Sequence, residues 1–490
     1  MGGNSTSLNV EFNKKNSFNL AKFLIITCLS FIALNIIIAL ILYDKIVLEG
    51  IAVVIIILIG ALNAFYIPVK YTFDEHSHYI RNYNLAEGNF IYNFDEEENY
   101  PCGLSHLLLY SNWIYNNYED YVNYVAYENQ YSVNDTEVTI NNTPQVVYTP
   151  LPYICGGIGI KVAQILNLSM LRSVQLAKFA NVLFFALIAF LSVRLVPKKK
   201  LLFLFYFTMP INIFFAASLG TDYFINALLG LSIALIYKVK CEQRRMSLKM
   251  YFLIICILCL IACGKSTYAP VLLLLGLFNK DELPVKISNR VNYISAIVMM
   301  FVMFVATYLY GSRYGIALWN LEGVDSATQI RYLLHHPLNG IKVFVNFTFE
   351  SYKTNIIYKY QKFAYLSDEV KYLGIIEIVG LFVMSLISSE YKKIRITNAG
   401  RMFTFLSILG CYGLSVIALY VTFTKIGSNT VCGFQGRYCL PMAFIVYAYI
   451  GLHDGIILND KFRRIPYVLC FVLVFITILM YVQLFKNYVI

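Results

Sequence analysis

Uncharged apolar runs of about 18 residues or more recur along this chain, each long enough to cross the hydrocarbon core of a bilayer. Lipid offers no partner to a bare backbone amide, so each run must close its hydrogen bonds internally as a helix. Composition agrees. Of 490 residues, 59% are hydrophobic and 14% charged, with a mean hydropathy of +0.63, whereas a soluble domain carries roughly 25% charged residues. Length alone would suggest about three soluble domains, and the hydropathy overrides that expectation.

The fold class that follows is an all-α integral membrane protein with about twelve spans. They are expected at 22–43, 51–69, 174–196, 201–217, 222–238, 250–264, 266–279, 291–310, 372–390, 402–424, 438–456 and 466–486. The run at 22–43 has no small-residue cleavage site before the next span and reads as uncleaved. The chain divides into N-terminal spans (1–69), an acidic loop with a following helix (70–173), a transmembrane core (174–310), a second polar loop (311–371) and C-terminal spans (372–490).

The net charge of +11 could suggest nucleic acid. The basic residues instead fall in short loops between spans, as topology determinants do. Lys198–Lys200, Lys238–Lys249, Lys392–Arg401 and Lys461–Arg464 mark the cytoplasmic side. Span counting then puts 70–150, the turns at Gly220–Asp222 and Gly264–Lys265, 311–371 and 425–437 outside. Lys14 and Lys15 fit this less well, because residues 1–21 come out external too. Counting 150–168 as a span would break the parity, so it is expected to lie as a helix at the outer interface. The location implied is the cytoplasmic (plasma) membrane, multi-pass. Of eleven cysteines, Cys256, Cys259 and Cys263 share one helix face, where small core residues are the better reading than a metal site.

The sharpest local pattern is Phe73-Asp74-Glu75-His76-Ser77-His78-Tyr79-Ile80-Arg81, just after the second run. Asp74 and His78 stand four apart and share a helix face. Such a group suits a general base or one divalent cation, Mg2+ or Mn2+, held by Asp74, Glu75 and His78. It also fits a plain helix start with acids favouring the dipole. Asp222 opens a span and could be an N-cap. Lys265, between two apolar segments, must pair or snorkel. Arg437, in Gly436-Arg437-Tyr438, stands outside against the usual charge bias. Its fork suits a phosphate oxygen pair, and an interfacial anchor with Tyr438 is the alternative. His335 and His336 read as a solvated turn. Asp74, Asp222, Lys265 and Arg437 all map to the outer face, which fits a lipid-phosphate donor and a hydroxyl acceptor.

Asp74-Glu75-x-x-His78-x-x-Arg81 followed by Leu85-Ala86-Glu87-Gly88 resembles the signature of an uncharacterised family of bacterial multi-span proteins, a domain of unknown function placed near the GT-C glycosyltransferases. Tyr148-x-Pro150-Leu151-Pro152-Tyr153, Asp222, Lys265-x-x-Tyr268-x-Pro270 and Gly436-Arg437-Tyr438-x-x-Pro441 match its pattern in order, over residues 50–456. Where the family places prolines around the acidic pair, Phe73 and His76 stand here.

The resemblance implies a GT-C-like fold with a large first external loop and an interfacial helix. It implies a polyprenyl-phosphate sugar donor and a glycan or lipid acceptor of the cell envelope. A loop aspartate acts there as base or metal ligand. That role falls on Asp74, with Glu75 as runner-up, and His78, Arg81, Tyr153, Asp222, Lys265, Tyr268, Arg437 and Tyr438 are expected to hold substrate. A lipid-linked sugar flippase or other transporter would instead show paired charges near mid-membrane and broken helices in matching halves. A polysaccharide polymerase would share the large external loops.

Overall fold

The computed structural model describes residues 47–67, 69, 71–90, 97–102, 104, 129–140, 147–312, 321–351, 371–388, 394–453, 456–457 and 464–484. The expected first span, 22–43, lies outside them.

Among the described residues, six helices are long and apolar enough to cross a membrane: α1 (Leu48–Tyr66), α4 (Met170–Leu195), α7 (Asp222–Glu242), α9 (Asn289–Ser312), α13 (Asn398–Thr422) and α15 (Ile465–Leu484). The helices between them are α2 (Glu75–Ala86), α3 (Ile154–Ile165), α5 (Lys200–Thr208), α6 (Pro210–Ala216), α8 (Leu248–Gly264), α10 (Ser326–His335), α11 (Pro337–Ser351), α12 (Lys371–Leu386) and α14 (Leu440–Gly451). The chain is an all-α membrane protein. Two small ribbons accompany the helices: β1 (Glu97–Pro101) pairs antiparallel with β2 (Thr136–Ile140), and β3 (Ile387–Ser388) pairs parallel with β4 (Ile456–Ile457). The first lies in the acidic loop, where Thr136-Glu137-Val138-Thr139-Ile140 favours a pleated strand.

Burial orders the bundle. The apolar window of α7 is 94% buried and that of α9 only 11%, so α7 is central and α9 peripheral. A helix apolar on every side belongs in such a centre. Close approach is bought by glycine: Gly60 of α1 lies against Val182 of α4, and Gly230 of α7 against the Phe207 ring. A side chain at either position would run into its neighbour.

Two expected spans differ in form. Residues 201–217 are not one helix. Met209 is extended and Pro210 opens α6 at its first turn, because proline disfavours helical geometry in the residue before it and has no amide to donate. The groups freed by the break are satisfied inside the bundle. Asn212 Nδ2 donates to Tyr206 O at 2.6 Å, Asn226 Nδ2 to Asn212 Oδ1 at 3.0 Å, and Tyr206 OH to Asn226 O at 3.1 Å. Glu377 of α12 is buried beside the Ile211 backbone at the start of α6. The expected span at 266–279 is a 3-10 segment, Ser266–Leu277, with Pro270 inside it. The helix expected at 150–168 is a short 3-10 turn, Leu151–Tyr153, running into α3. Its Gly156, Gly157 and Gly159 let α2 and α4 approach closely.

At the C-terminal end of α7, Lys240 is wholly buried. Its amine donates to Leu277 O at 3.0 Å, Arg395 O at 2.8 Å and the Glu282 carboxylate at 2.9 Å. Lys199 likewise donates to Ser385 O at 2.6 Å and Ile387 O at 2.8 Å. The N-terminal end of α7 carries the candidate site.

Candidate functional site

The site begins where the chain leaves α1. Asp74 is in the left-handed region (φ 51°, ψ 30°) and stands at the N-cap of α2, yet its side chain caps nothing. A left-handed non-glycine residue costs on the order of 1 kcal/mol, and a capping bond would be the ordinary recompense. Asp74 thus stands at a helix start, as the dipole reading expects, but without a capping bond from its side chain.

One turn along α2, His78 is buried, and its Nδ1 is hydrogen-bonded to the Tyr153 hydroxyl at 2.9 Å. Its ring lies 6.3 Å from that of Tyr148, and a Cβ placed on Gly220 would sit 3.4 Å from its Nε2. Burial pushes the imidazole down to about 4, against opposing pulls from Asp74 and Asp222, so it is neutral at ordinary pH. Burial raises the Tyr153 hydroxyl well above its usual value, so it stays protonated. Asn82 Nδ2 donates to His78 O at 2.7 Å and to Leu219 O at 3.3 Å, tying α2 to the turn before α7.

Glu75 is occupied elsewhere. It forms a buried ion pair with Lys178 of α4 at 2.5 Å, with both side chains 1% exposed. This pair seats α2 against a span. With Glu75 held by Lys178 and His78 by Tyr153, the expected cation set of Asp74, Glu75 and His78 does not converge. Among the described residues no group of three His, Cys, Asp or Glu side chains is placed to hold a metal ion.

Asp222 is the first residue of α7, not its cap; Thr221 holds that position. The carboxylate receives two cations from distant parts of the chain. Arg437 Nη1 lies 3.1 Å from Oδ2, and Lys265 Nζ lies 3.7 Å from Oδ1. The side chains of Lys265 and Arg437 are only 15% and 11% exposed, so both meet Asp222 largely out of solvent. Lys265 is extended between α8 and the 3-10 segment. Arg437 sits in a 3-10 turn, Gly436–Cys439, ahead of α14.

Aromatic faces complete the cradle. The Arg437 guanidinium stands 4.0 Å over the Phe73 ring and 5.4 Å from that of Tyr438, and Lys265 Nζ stands 4.4 Å over Tyr438. Such contacts are worth about 0.5–2 kcal/mol each. Tyr268 OH donates to Tyr438 O at 3.0 Å, fixing the backbone beside Arg437. Two cations thus share the one carboxylate of Asp222. The Arg437 Nε has no hydrogen-bond partner among the described residues.

Arg81 is set deeper. It is wholly buried, and its Nη2 donates to Tyr310 OH at 2.9 Å and Phe90 O at 3.3 Å. Its Nε and Nη1 have no hydrogen-bond partner among the described residues. The structure thus joins Asp74, His78, Tyr153, Asp222, Lys265, Tyr268, Arg437 and Tyr438 in one neighbourhood. Arg81 borders it, and Glu75 faces Lys178.

Sequence reasoning missed Lys178, Phe73 and Asn82. Lys178 had a signal, since a lysine inside an apolar span calls for a partner. The ring under Arg437 had none.

A family model described as predicted membrane protein (DUF2142) matches residues 57–446, and the chain belongs to that family. No curated protein and no solved structure matches it. The match takes in every residue of the site, from Phe73 to Tyr438.

Proposed function

We propose that this protein is a membrane glycosyltransferase of GT-C-like, roughly twelve-span arrangement. It moves a sugar from a polyprenyl-phosphate donor to a hydroxyl of a cell-envelope glycan or lipid, on the outer face of the cytoplasmic membrane. The observation that carries the reading is the convergence of Lys265 and Arg437 on the single carboxylate of Asp222, beside an aspartate whose side chain makes no capping bond.

The chemistry follows from those groups. Asp74 takes the proton of the acceptor hydroxyl, whose oxygen bonds to the anomeric carbon. The bond from that carbon to the phosphate oxygen breaks, and polyprenyl phosphate departs with the electron pair. Arg437 and Lys265 hold the phosphate as its charge develops, and Asp222 keeps the two cations in place. Direct displacement inverts the anomeric centre. A positioned base is worth about 10²–10⁴-fold. No step is assigned to a metal ion, because two of the three expected ligands already have partners.

The transporter reading gains one observation, the α5–α6 break beside the buried Glu377. Broken helices line sites in transporters. The deciding experiment reconstitutes purified protein in vesicles with a radiolabelled polyprenyl-phosphate sugar and an acceptor. Appearance of labelled acceptor, lost in Asp74→Asn, supports transfer. Translocation of the intact donor without transfer, insensitive to Asp74→Asn, overturns it.

A further inference from the structure

A second region offers a place for the rest of a lipid donor. The half of α13 nearer its C-terminal end, Leu409 to Tyr420, faces α11 across a cleft of about 460 Å³. Pro337, Ile341 and Phe344 line it from α11, and Leu409, Gly413, Val416 and Tyr420 from α13. The lining is almost wholly apolar, of a size usual for a ligand site. Leu409 and Ile341, on its rim, are exposed.

A row of four packed rings runs from the cleft to the cation site. Phe344 packs on Tyr412 with ring centres 5.7 Å apart, Tyr412 on Phe434 at 5.8 Å, and Phe434 on Tyr438 at 5.6 Å. Tyr438 is the ring beneath Lys265. The apolar cleft and the two cations are thus opposite ends of one aromatic row. The match is to an amphiphile with an anionic head and a single hydrocarbon tail.

We propose that this cleft between α11 and α13 binds the isoprenoid chain of a polyprenyl phosphate whose phosphate lies at Arg437 and Lys265. The inference rests on the donor reading above and adds where the chain runs. One cleft admits one chain, which favours a polyprenyl phosphate over a two-tailed phospholipid. Gly413 provides the means of testing it. A Cβ there meets only Phe344 Cε2, at 3.9 Å, so a larger side chain enters the cleft without displacing backbone.

The experiment measures binding of a long-chain polyprenyl phosphate and of geranyl phosphate to purified full-length protein in detergent. The variants are Gly413→Phe, Gly413→Ala and Arg437→Ala. Gly413→Phe is expected to weaken the long-chain ligand at least tenfold and to leave geranyl phosphate unchanged, with Gly413→Ala close to wild type. Equal binding of the long-chain ligand by Gly413→Phe and wild type overturns the cleft, while loss of both ligands in Arg437→Ala keeps the phosphate site. Loss of the long chain in Gly413→Phe with full binding by Arg437→Ala keeps the cleft and overturns its link to the cations.

Should Gly413→Phe fail to fold, wild-type protein is photolabelled with a polyprenyl phosphate carrying a diazirine in its chain. Labelling at α11 and α13 that unlabelled polyprenyl phosphate displaces, and phosphatidylglycerol does not, supports the proposal. Labelling displaced equally by both, or falling elsewhere, overturns it.

Discussion

At one end of α7 the Lys240 amine donates to two carbonyls and a carboxylate, while at the other Lys265 and Arg437 share the single carboxylate of Asp222. All three are largely withdrawn from solvent, and their surroundings differ in kind. Lys240 has three donors and three protein acceptors, and nothing further can join it. Arg437 keeps an Nε with no hydrogen-bond partner among the described residues, and both cations at its end rest on ring faces. A buried cation whose bonds are all made is a fastening. One left short of acceptors is half of an interaction whose other half arrives from outside.

The largest expected effect tests the fastened end. Lys240→Met takes the cation from the buried Glu282 and leaves its carboxylate the Asn279 amide, and breaking such a pair costs up to about 3–5 kcal/mol. Thermal unfolding in detergent should register that loss, while transfer per folded molecule stays near wild type. A loss of turnover in folded Lys240→Met would erase the distinction between the ends.

Next comes the open end. Asp74→Asn keeps the shape and removes the basicity, so transfer should fall by about 10²-fold or more with the protein still inserted. Near-normal turnover would return Asp74 to a strained helix start. Arg437→Lys sharpens the comparison further, because the charge survives and the fork does not. Charge-assisted bonds of this kind are worth about 1.5–3 kcal/mol, so donor titration should show roughly a tenfold to hundredfold loss of apparent affinity. Lysine serving as well as arginine there would make Arg437 a second fastening.

A smaller effect concerns pH. His78 is held down to about 4 in the folded protein, against 6.5 in the unfolded chain. The unfolded state therefore binds the proton first. Stability from this group is complete above about pH 6.5 and is lost as pH falls from there towards 4. Unfolding followed from pH 7.5 to 4.5 should show that decline in wild type and a weaker one in His78→Gln. An equal decline in both would assign it to other groups.

The least perturbing measurement concerns sidedness. Cys432, exposed in the loop before Arg437, should react with a membrane-impermeant thiol reagent in intact cells in a background lacking Cys102 and Cys155, with the signal lost in Cys432→Ser. Labelling that requires permeabilisation would place the open end in the cytoplasm.

Much of the open end was legible in the chain. Lys265 and Arg437 stood out because a cation at the membrane edge, away from the basic loops, needs a reason. The sequence places Asp74 and Asp222 on the same outer face without pairing either with a cation. What could not be read was pairing at a distance. Glu75 and Asp74 are neighbours in sequence, and only the packing of α2 on α4 sends one to Lys178 and leaves the other uncapped. Nor does a hydropathy window see Met209-Pro210. The residues around it are apolar enough for one continuous span, and the break shows only in backbone geometry and in the asparagines that satisfy it. The β1–β2 ribbon was missed because the acidic loop, polar and rich in tyrosine, hides a strand-forming stretch of five residues.

The Glu75–Lys178 pair also orders the making of the protein. Glu75 is synthesised well before Lys178, so their ion pair forms only once α4 is in place. A lysine raises the free energy of insertion by up to about 2.5–3.5 kcal/mol at a helix centre and by less at the ninth residue of α4, where Lys178 stands, so α4 enters lipid more readily once Glu75 is there to meet it. The aspartate wall of the site is thus assembled as α4 inserts, while α7, α8 and α14 are still to be translated. A nascent chain halted after α5 already holds both halves of the pair. It should resist extraction from the membrane by alkali, and the same chain carrying Glu75→Gln should resist it less.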